Sequence, residues 1–148
     1  MEFHRLSTSF YSQFAHCEEL LTKEERPYYV LLLKLDNITY AIPLRSHITH
    51  SYCIIADNIN GQKSGLDFTK AVVISDSAKY IDTYPVTIRQ HEFNILKQQE
   101  YLIKKKFSSY VKSYKKEIRR RKKTPTLPES SLCRYSTLRY FHKEIGLL

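Results

Sequence analysis

A long stretch in the second half of the chain repeats apolar residues with a helical period, and it constrains the fold more than any other feature. These residues recur every three or four positions, at Phe93, Leu96, Ile103, Phe107, Tyr110, Val111, Tyr114 and Ile118. Because such positions fall on one face of an α-helix, the pattern predicts an amphipathic helical region over residues 87–123. Thr87 and Gln90 resemble a capping box at its start, and Pro125 marks its end.

The charges of this helical region are almost all of one sign. Between Lys97 and Lys123 the chain has twelve Lys or Arg residues against two acids, Glu100 and Glu117. This block has a formal charge of +10, which exceeds the +9 of the whole chain. Mixed charges usually mark a solvated helix face, but a one-signed face repels itself and favours a polyanion as partner. We therefore predict a nucleic-acid-binding face, with candidate contacts at Lys104, Lys105, Lys112, Lys115, Lys116, Arg119 and Arg120.

The first half of the chain has the patterns of β-strands. Residues 28–35 (YYVLLLKL) form a nearly continuous apolar run, Asp36 and Asn37 are a turn signal, and residues 38–44 (ITYAIPL) form a second run. Together they predict a β-hairpin. The other predicted elements are strands at residues 2–7, 52–57 and 66–74, a short helix at 9–21 and a terminal helix at 131–146.

The order of these elements places strands early and helices late. We therefore predict an α+β fold, in which a small, strongly bent antiparallel sheet or partly open barrel carries added helices, the longest of them C-terminal. The length fits one domain, residues 1–148, with the basic helical region 87–123 as part of it.

Composition limits the class of protein. The apolar run at residues 28–35 is much shorter than the roughly 20 residues that a membrane span requires, and the N-terminus has no signal-peptide pattern. We expect a soluble, cytoplasmic protein. Cys17, Cys53 and Cys133 are widely spaced and odd in number, which predicts buried thiols rather than disulfides or zinc ligands.

Six positions directly after the second hairpin strand bring together groups that acid–base chemistry needs. They contain Arg45, Ser46, His47 and His50. Cleavage of RNA without a metal needs a base for the 2′-hydroxyl proton, an acid for the departing 5′-oxygen, and a cation or donor on the phosphorane. Histidine and arginine supply such groups near neutral pH. A polar surface loop is the alternative interpretation, since loops commonly collect Ser and His.

Other chemistries fit this loop less well. His47 and His50 lack a third metal ligand nearby, and Ser46 lacks the G-x-S-x-G motif of a hydrolase nucleophile. Asp67 and Lys70 precede an apolar segment, where Lys70 lies either at the rim of a site or in solvent. We expect no metal and no cofactor.

Four short motifs follow one another in a familiar order: LSTSF (6–10), YAIPLRS (40–46), GLDFTKAVVI (65–74) and LCRYSTLRYFHKE (132–144). In this order they resemble the type III toxin–antitoxin endoribonucleases, the ToxN and AbiQ family, and most closely the TenpN branch. In that family the strand-end motif is a Pro-Leu followed by a polar residue and Ser, which corresponds here to residues 43–46.

The resemblance implies a bent sheet of the MazF or Kid toxin type, and metal-independent cleavage of RNA that leaves a 2′,3′-cyclic phosphate and a 5′-hydroxyl. It also implies two partners, an RNA substrate such as mRNA and a small inhibitory RNA of pseudoknot repeats, in a higher-order protein–RNA assembly that requires neither membrane nor DNA. Such systems act in plasmid maintenance or in abortive defence against phage. The chain departs from the family pattern at Ile48, where the loop lysine of ToxN-like proteins would fall.

Under this hypothesis His47 transfers protons, and Ser46 donates a hydrogen bond to a phosphate oxygen. Arg45 and Lys70 stabilise the negative charge that develops. The remaining candidates for contact with RNA are Arg26, Tyr28 and His50. The alternative is a non-catalytic nucleic-acid-binding regulator that uses only the basic helix. A third hypothesis, a structural protein of a ribonucleoprotein, would also need no catalytic loop.

Overall fold

The computed structural model describes residues 1–17, 29–84 and 86–148. These residues form the predicted α+β fold, with six strands, five α-helices and the longest helix in the C-terminal half. The strands are β1 (Phe3–Arg5), β2 (Tyr29–Leu35), β3 (Ile38–Arg45), β4 (Cys53–Ile59), β5 (Gln62–Asp67) and β6 (Val72–Val73). The helices are α1 (Thr8–Gln13), α2 (Ser77–Tyr80), α3 (Gln90–Gln98), α4 (Glu100–Lys123) and α5 (Ser131–Arg134), and two 3₁₀ helices span Phe68–Lys70 and Thr137–Phe141.

The predicted hairpin is confirmed and lies within the sheet. β2 and β3 pair antiparallel up to Leu35 and Ile38. Asp36 and Asn37 connect the two strands with φ angles of 50° and 65°. This is the left-handed conformation that a two-residue hairpin turn requires, and Asp and Asn tolerate it better than most residues.

β3 joins two parts of the sheet. Beyond its pairing with β2, it pairs with β6 through Tyr40 and Ala41 and with β5 through Leu44 and Arg45. In the described part of the chain the strand order is β1-β2-β3-β5-β4, and β1 and β4 do not pair, so the sheet is not closed. The end of β3 at Arg45 therefore lies where one part of the sheet meets the other.

A glycine allows β4 and β5 to approach each other beside this junction. A Cβ at Gly65 would lie 2.0 Å from the backbone oxygen of Ile54, so any side chain there would force the strands apart. Gly65 is also the partner of Arg45 in the β3–β5 pairing. The close approach of β4 thus helps to fix the backbone at the end of β3.

The predicted strand over residues 66–74 is wrong in its middle. β5 ends at Asp67, whose side chain accepts a hydrogen bond from the backbone N–H of Thr69 at 2.9 Å and caps the 3₁₀ helix Phe68–Lys70. Such a local side-chain bond competes with the hydrogen bonds of a sheet. The chain then resumes as β6 on the edge of β3.

The basic helical region 87–123 begins later than predicted and is interrupted once. α3 starts at Gln90 without a side-chain cap, so the capping box with Thr87 is not formed, and Gln99 separates α3 from α4. α4 is then continuous and ends at Lys123, two residues before Pro125. Its apolar face is buried as predicted, at Ile103, Phe107, Tyr110, Val111 and Tyr114.

Three further segments differ from the sequence prediction. α1 has Ser7 as its N-cap but ends at Gln13, and the predicted helix beyond residue 17 lies outside the described residues. α2 begins after Asp76, in a stretch for which no helix is predicted. The terminal helix is broken at Ser136, whose hydroxyl accepts a hydrogen bond from the N–H of Leu138.

One cluster of buried residues extends from Phe3 to Leu147 and joins the sheet to α4. The three cysteines are buried, as predicted, and none of them forms a disulfide. Among the helices of the described ranges, none combines the length and the apolar composition of a membrane span.

Candidate functional site

The carboxylate of Asp67 organises the end of β3. Its side chain is 0% exposed, whereas that of Arg45 is 31% exposed. Arg45 Nη1 donates to Asp67 Oδ2 at 2.8 Å. Thr69 donates to Asp67 Oδ1 from its backbone N–H at 2.9 Å and from its hydroxyl at 2.6 Å. A buried carboxylate needs such partners, and in return it holds the Arg45 guanidinium in one orientation.

His50 completes this network from the far end of the loop. Its Nε2 lies 3.1 Å from Asp67 Oδ1, and its Nδ1 accepts a hydrogen bond from the backbone N–H of Tyr52 at 3.1 Å. Because Nδ1 is an acceptor, the neutral ring carries its proton on Nε2, which faces the carboxylate. Nε2 is buried and has no hydrogen-bond partner among the described residues, so its contact with Asp67 is electrostatic. Both ring nitrogens of His50 face protein, which suits a positioning role.

Ser46 and His47 differ from His50 in their exposure to solvent. Both residues are exposed, and Ser46 Oγ lies 3.1 Å from His47 Nδ1. His47 has a φ of 59°, a left-handed conformation that non-glycine residues adopt at a cost and that clusters at functional sites. The next residue, Ile48, is buried and donates its N–H to the carbonyl of Lys63 at 2.9 Å. The loop is thus tied to β5, and within the described ranges only Nδ1 of the exposed His47 ring has a hydrogen-bond partner, so Nε2 can take an external one.

A cleft of about 510 Å³ opens beside Arg45 and Ser46. Tyr29 of β2 and Arg89, which precedes α3, also line it. The Arg89 side chain is 76% exposed. The volume is in the range of ligand-binding clefts. This cleft offers two guanidinium groups, one fixed by Asp67 and one exposed to solvent, together with the carboxylate of Glu92, which lies 3.8 Å from Arg89 Nη1.

The other predicted site residues are not part of this lining. His47 and His50 lie on the loop beside it, and Lys70 ends the 3₁₀ helix that follows β5. Arg26 and Tyr28 lie outside the described residues. Within the described ranges, no group of three or more His, Cys, Asp or Glu side chains is arranged to hold a metal ion.

Cys53, at the start of β4, anchors the loop. Burial, and next the negative charge of Asp67, raise the pKa of its thiol. The protonated Sγ donates to the carbonyl of His50 at 3.4 Å. Because the thiolate is the reactive form of cysteine, this thiol is held in its unreactive state.

The predicted nucleic-acid-binding face is the outward surface of α4. Of the predicted contacts, Lys115 is half-buried, and the exposed ones are Lys104, Lys105, Lys112, Lys116, Arg119 and Arg120. The two acids of the region have other partners. Glu100 lies 3.9 Å from the N-terminal amine, and Glu117 accepts hydrogen bonds from the N–H and hydroxyl of Ser130. Burial opposes ionisation of Glu117, but hydrogen bonds from Cys133 and Ser130 outweigh it and lower its pKa. The outward face is therefore left with cations.

Two features of the site go beyond the sequence prediction, namely Asp67 as its centre and Arg89 in its cleft. An Asp side chain readily accepts a hydrogen bond from the backbone N–H two positions later. The capping of the 3₁₀ helix by Asp67 is therefore a local feature that the sequence can indicate. Arg89 has no comparable signal, because the packing of α3 against β4 brings it to the cleft.

Comparison with known proteins assigns no family. No family model matches the sequence, and neither the curated proteins nor the solved structures gave a match. The resemblance to the ToxN and AbiQ family therefore depends on the four short motifs alone.

Proposed function

We propose that this protein is a metal-independent endoribonuclease that directs the 2′-hydroxyl of RNA against the adjacent phosphorus. The observation that carries this proposal is the buried carboxylate of Asp67, which holds Arg45 and His50 next to the exposed Ser46–His47 pair. A fixed cation beside an exposed imidazole is the combination that this reaction needs.

In the proposed reaction, Nε2 of His47 accepts the proton of the 2′-hydroxyl. The 2′-oxygen bonds to phosphorus, the bond from phosphorus to the 5′-oxygen breaks, and the 5′-oxygen takes a proton from water. The products are a 2′,3′-cyclic phosphate and a 5′-hydroxyl. Arg45 and the hydroxyl of Ser46 stabilise the charge on the phosphorane oxygens. Lys70, three residues after Asp67, is proposed as a second cation.

The basic face of α4 supports RNA as the polymer that binds. Exposed cations in such number match the repeated phosphates of a nucleic acid, and contacts of this type read backbone and shape rather than sequence. Following the resemblance, we propose that an inhibitory RNA of pseudoknot repeats docks on this face in a higher-order assembly, and that the sheet is of the MazF or Kid type. The protein is then the toxin of a type III toxin–antitoxin system, which acts in the cytoplasm.

The test is incubation of the purified protein with RNA in EDTA, followed by analysis of the fragment ends. We expect cyclic phosphate and 5′-hydroxyl ends. We also expect His47→Ala and Ser46→Ala each to slow cleavage by about 10²-fold or more. His16→Ala is the matched control, because His16 is an exposed histidine outside the loop.

Two results would contradict this proposal. Cleavage and growth arrest that persist in both loop variants would place the chemistry elsewhere. Fragments that end in a 3′-hydroxyl would exclude attack by the 2′-hydroxyl.

A second candidate function is a non-catalytic RNA-binding regulator. The observation that favours it is the outward face of α4, whose exposed charges are positive and which needs no catalytic loop to bind RNA. RNA binding without cleavage, equal in the wild-type protein and His47→Ala, would select this function.

A further inference from the structure

A second cleft, of about 470 Å³, lies between α4, α5 and the residues that follow the loop. Its lining includes the aromatic residues Tyr52, Phe68 and Tyr110. The ring centroids of Tyr52 and Tyr110 are 6.0 Å apart, and those of Phe68 and Tyr110 are 5.8 Å apart. Leu102, which is 38% exposed, extends this lining along α4. The cleft therefore has an apolar, largely aromatic wall that solvent reaches.

The rim of the cleft is cationic. Lys105 and Lys106 line it from α4. Lys106 is also close enough to the loop to act on Cys53, because its charge opposes the rise in thiol pKa that burial causes. The cleft thus combines an apolar wall with two ammonium groups.

The same face of α4 continues beyond the cleft. Residues three or four positions apart lie on one side of a helix, so the face that includes Lys106, Ser109 and Ser113 continues to Lys116 and Arg120. A strand of nucleic acid that leaves the cleft along α4 therefore meets further cations.

Tyr52 connects this cleft to the site at the end of β3. Its backbone N–H donates to His50 Nδ1 at 3.1 Å, and the two rings are 5.8 Å apart with an interplanar angle of 31°. His50 in turn faces Asp67. One polymer could therefore occupy the cleft and reach the loop.

We propose that this cleft binds an unpaired nucleotide of the RNA, with its base against Tyr52 and Leu102 and its flanking phosphates on Lys105 and Lys106. Bases stack on aromatic side chains while cations hold the backbone, which is the common arrangement for single-stranded RNA. The inference rests on the proposed function and adds the class of RNA that the enzyme takes, a segment with at least one base unstacked.

The chemistry of the cleft separates this ligand from other polyanions. A double helix keeps its bases stacked inside, so it would use the lysines but not the aromatic wall. An acidic protein segment would also need only the lysines. Dependence on the Tyr52 ring is therefore the property that distinguishes an unpaired base.

The test measures binding of a single-stranded 2′-O-methyl RNA, which has no 2′-hydroxyl and is not cleaved. Tyr52→Leu removes the ring and should weaken binding by about 5- to 150-fold, the range for loss of one base–aromatic stack. Tyr52→Phe keeps the ring and removes only the hydroxyl, which lies 3.4 Å from that of Ser131, so its affinity should stay within about twofold of wild type. A duplex RNA of equal length should bind all three proteins alike.

Lys104 and Lys106 provide a matched pair on α4. They are two positions apart, so they point to different sides of the helix, and of the two only Lys106 lines the cleft. Lys106→Ala should weaken binding of the single strand several-fold more than Lys104→Ala does. This pair also keeps the proposal testable if Tyr52→Leu fails to fold.

Full binding by a folded Tyr52→Leu protein, or equal losses in the two lysine variants, would overturn the proposal. Binding of poly-glutamate that depends on Tyr52 to the same degree would overturn it as well and would assign the cleft to an acidic protein. The probe is not cleaved, so these results do not depend on the proposed reaction. A protein that fails to cleave RNA yet loses binding in Tyr52→Leu would refute the nuclease and support the cleft.

Discussion

The end of β3 and the outward face of α4 both carry cations, but the two regions hold them differently. At the end of β3, Arg45 is bonded to a carboxylate that is 0% exposed, and Thr69 and His50 complete the surroundings of that carboxylate. On α4, exposed Lys and Arg side chains stand on a helix whose two acids have partners on other segments. The first region is a fixed charge network, and the second is an exposed array of cations that the two acids of its own helix do not compensate.

This difference has consequences for measurement. A charge fixed in a partly buried network is weakly screened by salt, and removal of one member leaves the others unsatisfied. An exposed array binds a polyanion through the sum of many small contacts, so one substitution has a small effect and salt has a large one. Substitutions at the end of β3 should therefore change mainly the free energy of unfolding, whereas substitutions on α4 should change RNA affinity and its dependence on salt.

Replacement of Asp67 should have the largest effect. Asp67→Ala leaves Arg45 without its partner and the buried donors of Thr69 unsatisfied. We expect the free energy of unfolding, measured by urea titration, to fall by about 2–3 kcal/mol. This is less than for a fully buried pair, because Arg45 is 31% exposed and water screens its charge. RNA cleavage should fall as well, since the Arg45 guanidinium loses its orientation.

Asp57→Ala is the matched control for this substitution. Asp57 is half-buried on the neighbouring β4, where it accepts a hydrogen bond from the solvent-exposed N–H of Asn58 at 2.9 Å and lies 4.0 Å from His91 Nε2. A change below about 0.5 kcal/mol is expected there. Equal destabilisation by the two substitutions would remove the distinction between a fixed network and ordinary surface charge.

The parts of the fold that the sequence predicted well are those that local chemistry determines. The hairpin follows from Asp36 and Asn37, which adopt a backbone conformation that few other residues tolerate. The buried face of α4 follows from the helical period of its apolar residues. The break after β5 was not predicted, although the bond from the Thr69 N–H to Asp67 is local, because the aromatic and β-branched residues around it favour a continuous strand.

The candidate site was predictable as a loop but not as a network. Residues 45–47 stand out by composition and by their place after a strand. The partner of Arg45 is 22 positions away in sequence, and the cleft at Tyr52 exists only because α4 packs over it. Contacts of this kind join residues that are far apart in sequence, so no local sequence pattern predicts them.

Removal of one exposed cation from α4 should have an intermediate effect. For Lys112→Ala or Arg119→Ala we expect RNA affinity to fall by about two- to fivefold. We also expect the slope of log affinity against log salt to decrease by about 0.7–0.9 for each phosphate that the variant no longer neutralises. The measurement is a titration of uncleavable RNA over a series of salt concentrations.

Arg121→Ala is the control within the same helix. Arg121 Nη1 is already paired with Glu129 at 3.1 Å, so its removal should leave the salt slope unchanged. His47→Ala should also leave the slope unchanged, because its proposed role is proton transfer. A slope that no exposed cation of α4 alters would show that RNA docks elsewhere.

The smallest effect should come from a substitution at His142, whose side chain contacts Tyr114 on the buried face of α4. Tyr114 Oη lies 2.7 Å from His142 Nε2. Burial, and then the charges of Lys122 and Arg139, lower the pKa of His142, so the folded protein binds this proton less readily than the unfolded chain does. The stability contribution is therefore complete above the unfolded pKa of about 6.5 and is lost as the pH falls below it towards the lowered folded value.

Because the His142 ring is only half-buried, solvent screening should keep this loss below about 1 kcal/mol. His142→Gln should flatten the dependence of the free energy of unfolding on pH just below about 6.5, as measured by urea titration at several pH values. Its RNA affinity at neutral pH should equal that of the wild type, because Tyr114 belongs to the buried face of the helix and not to its cationic one. A variant with the full pH dependence would show that another group is responsible, whereas one with altered RNA affinity would show that the two faces of α4 are not independent.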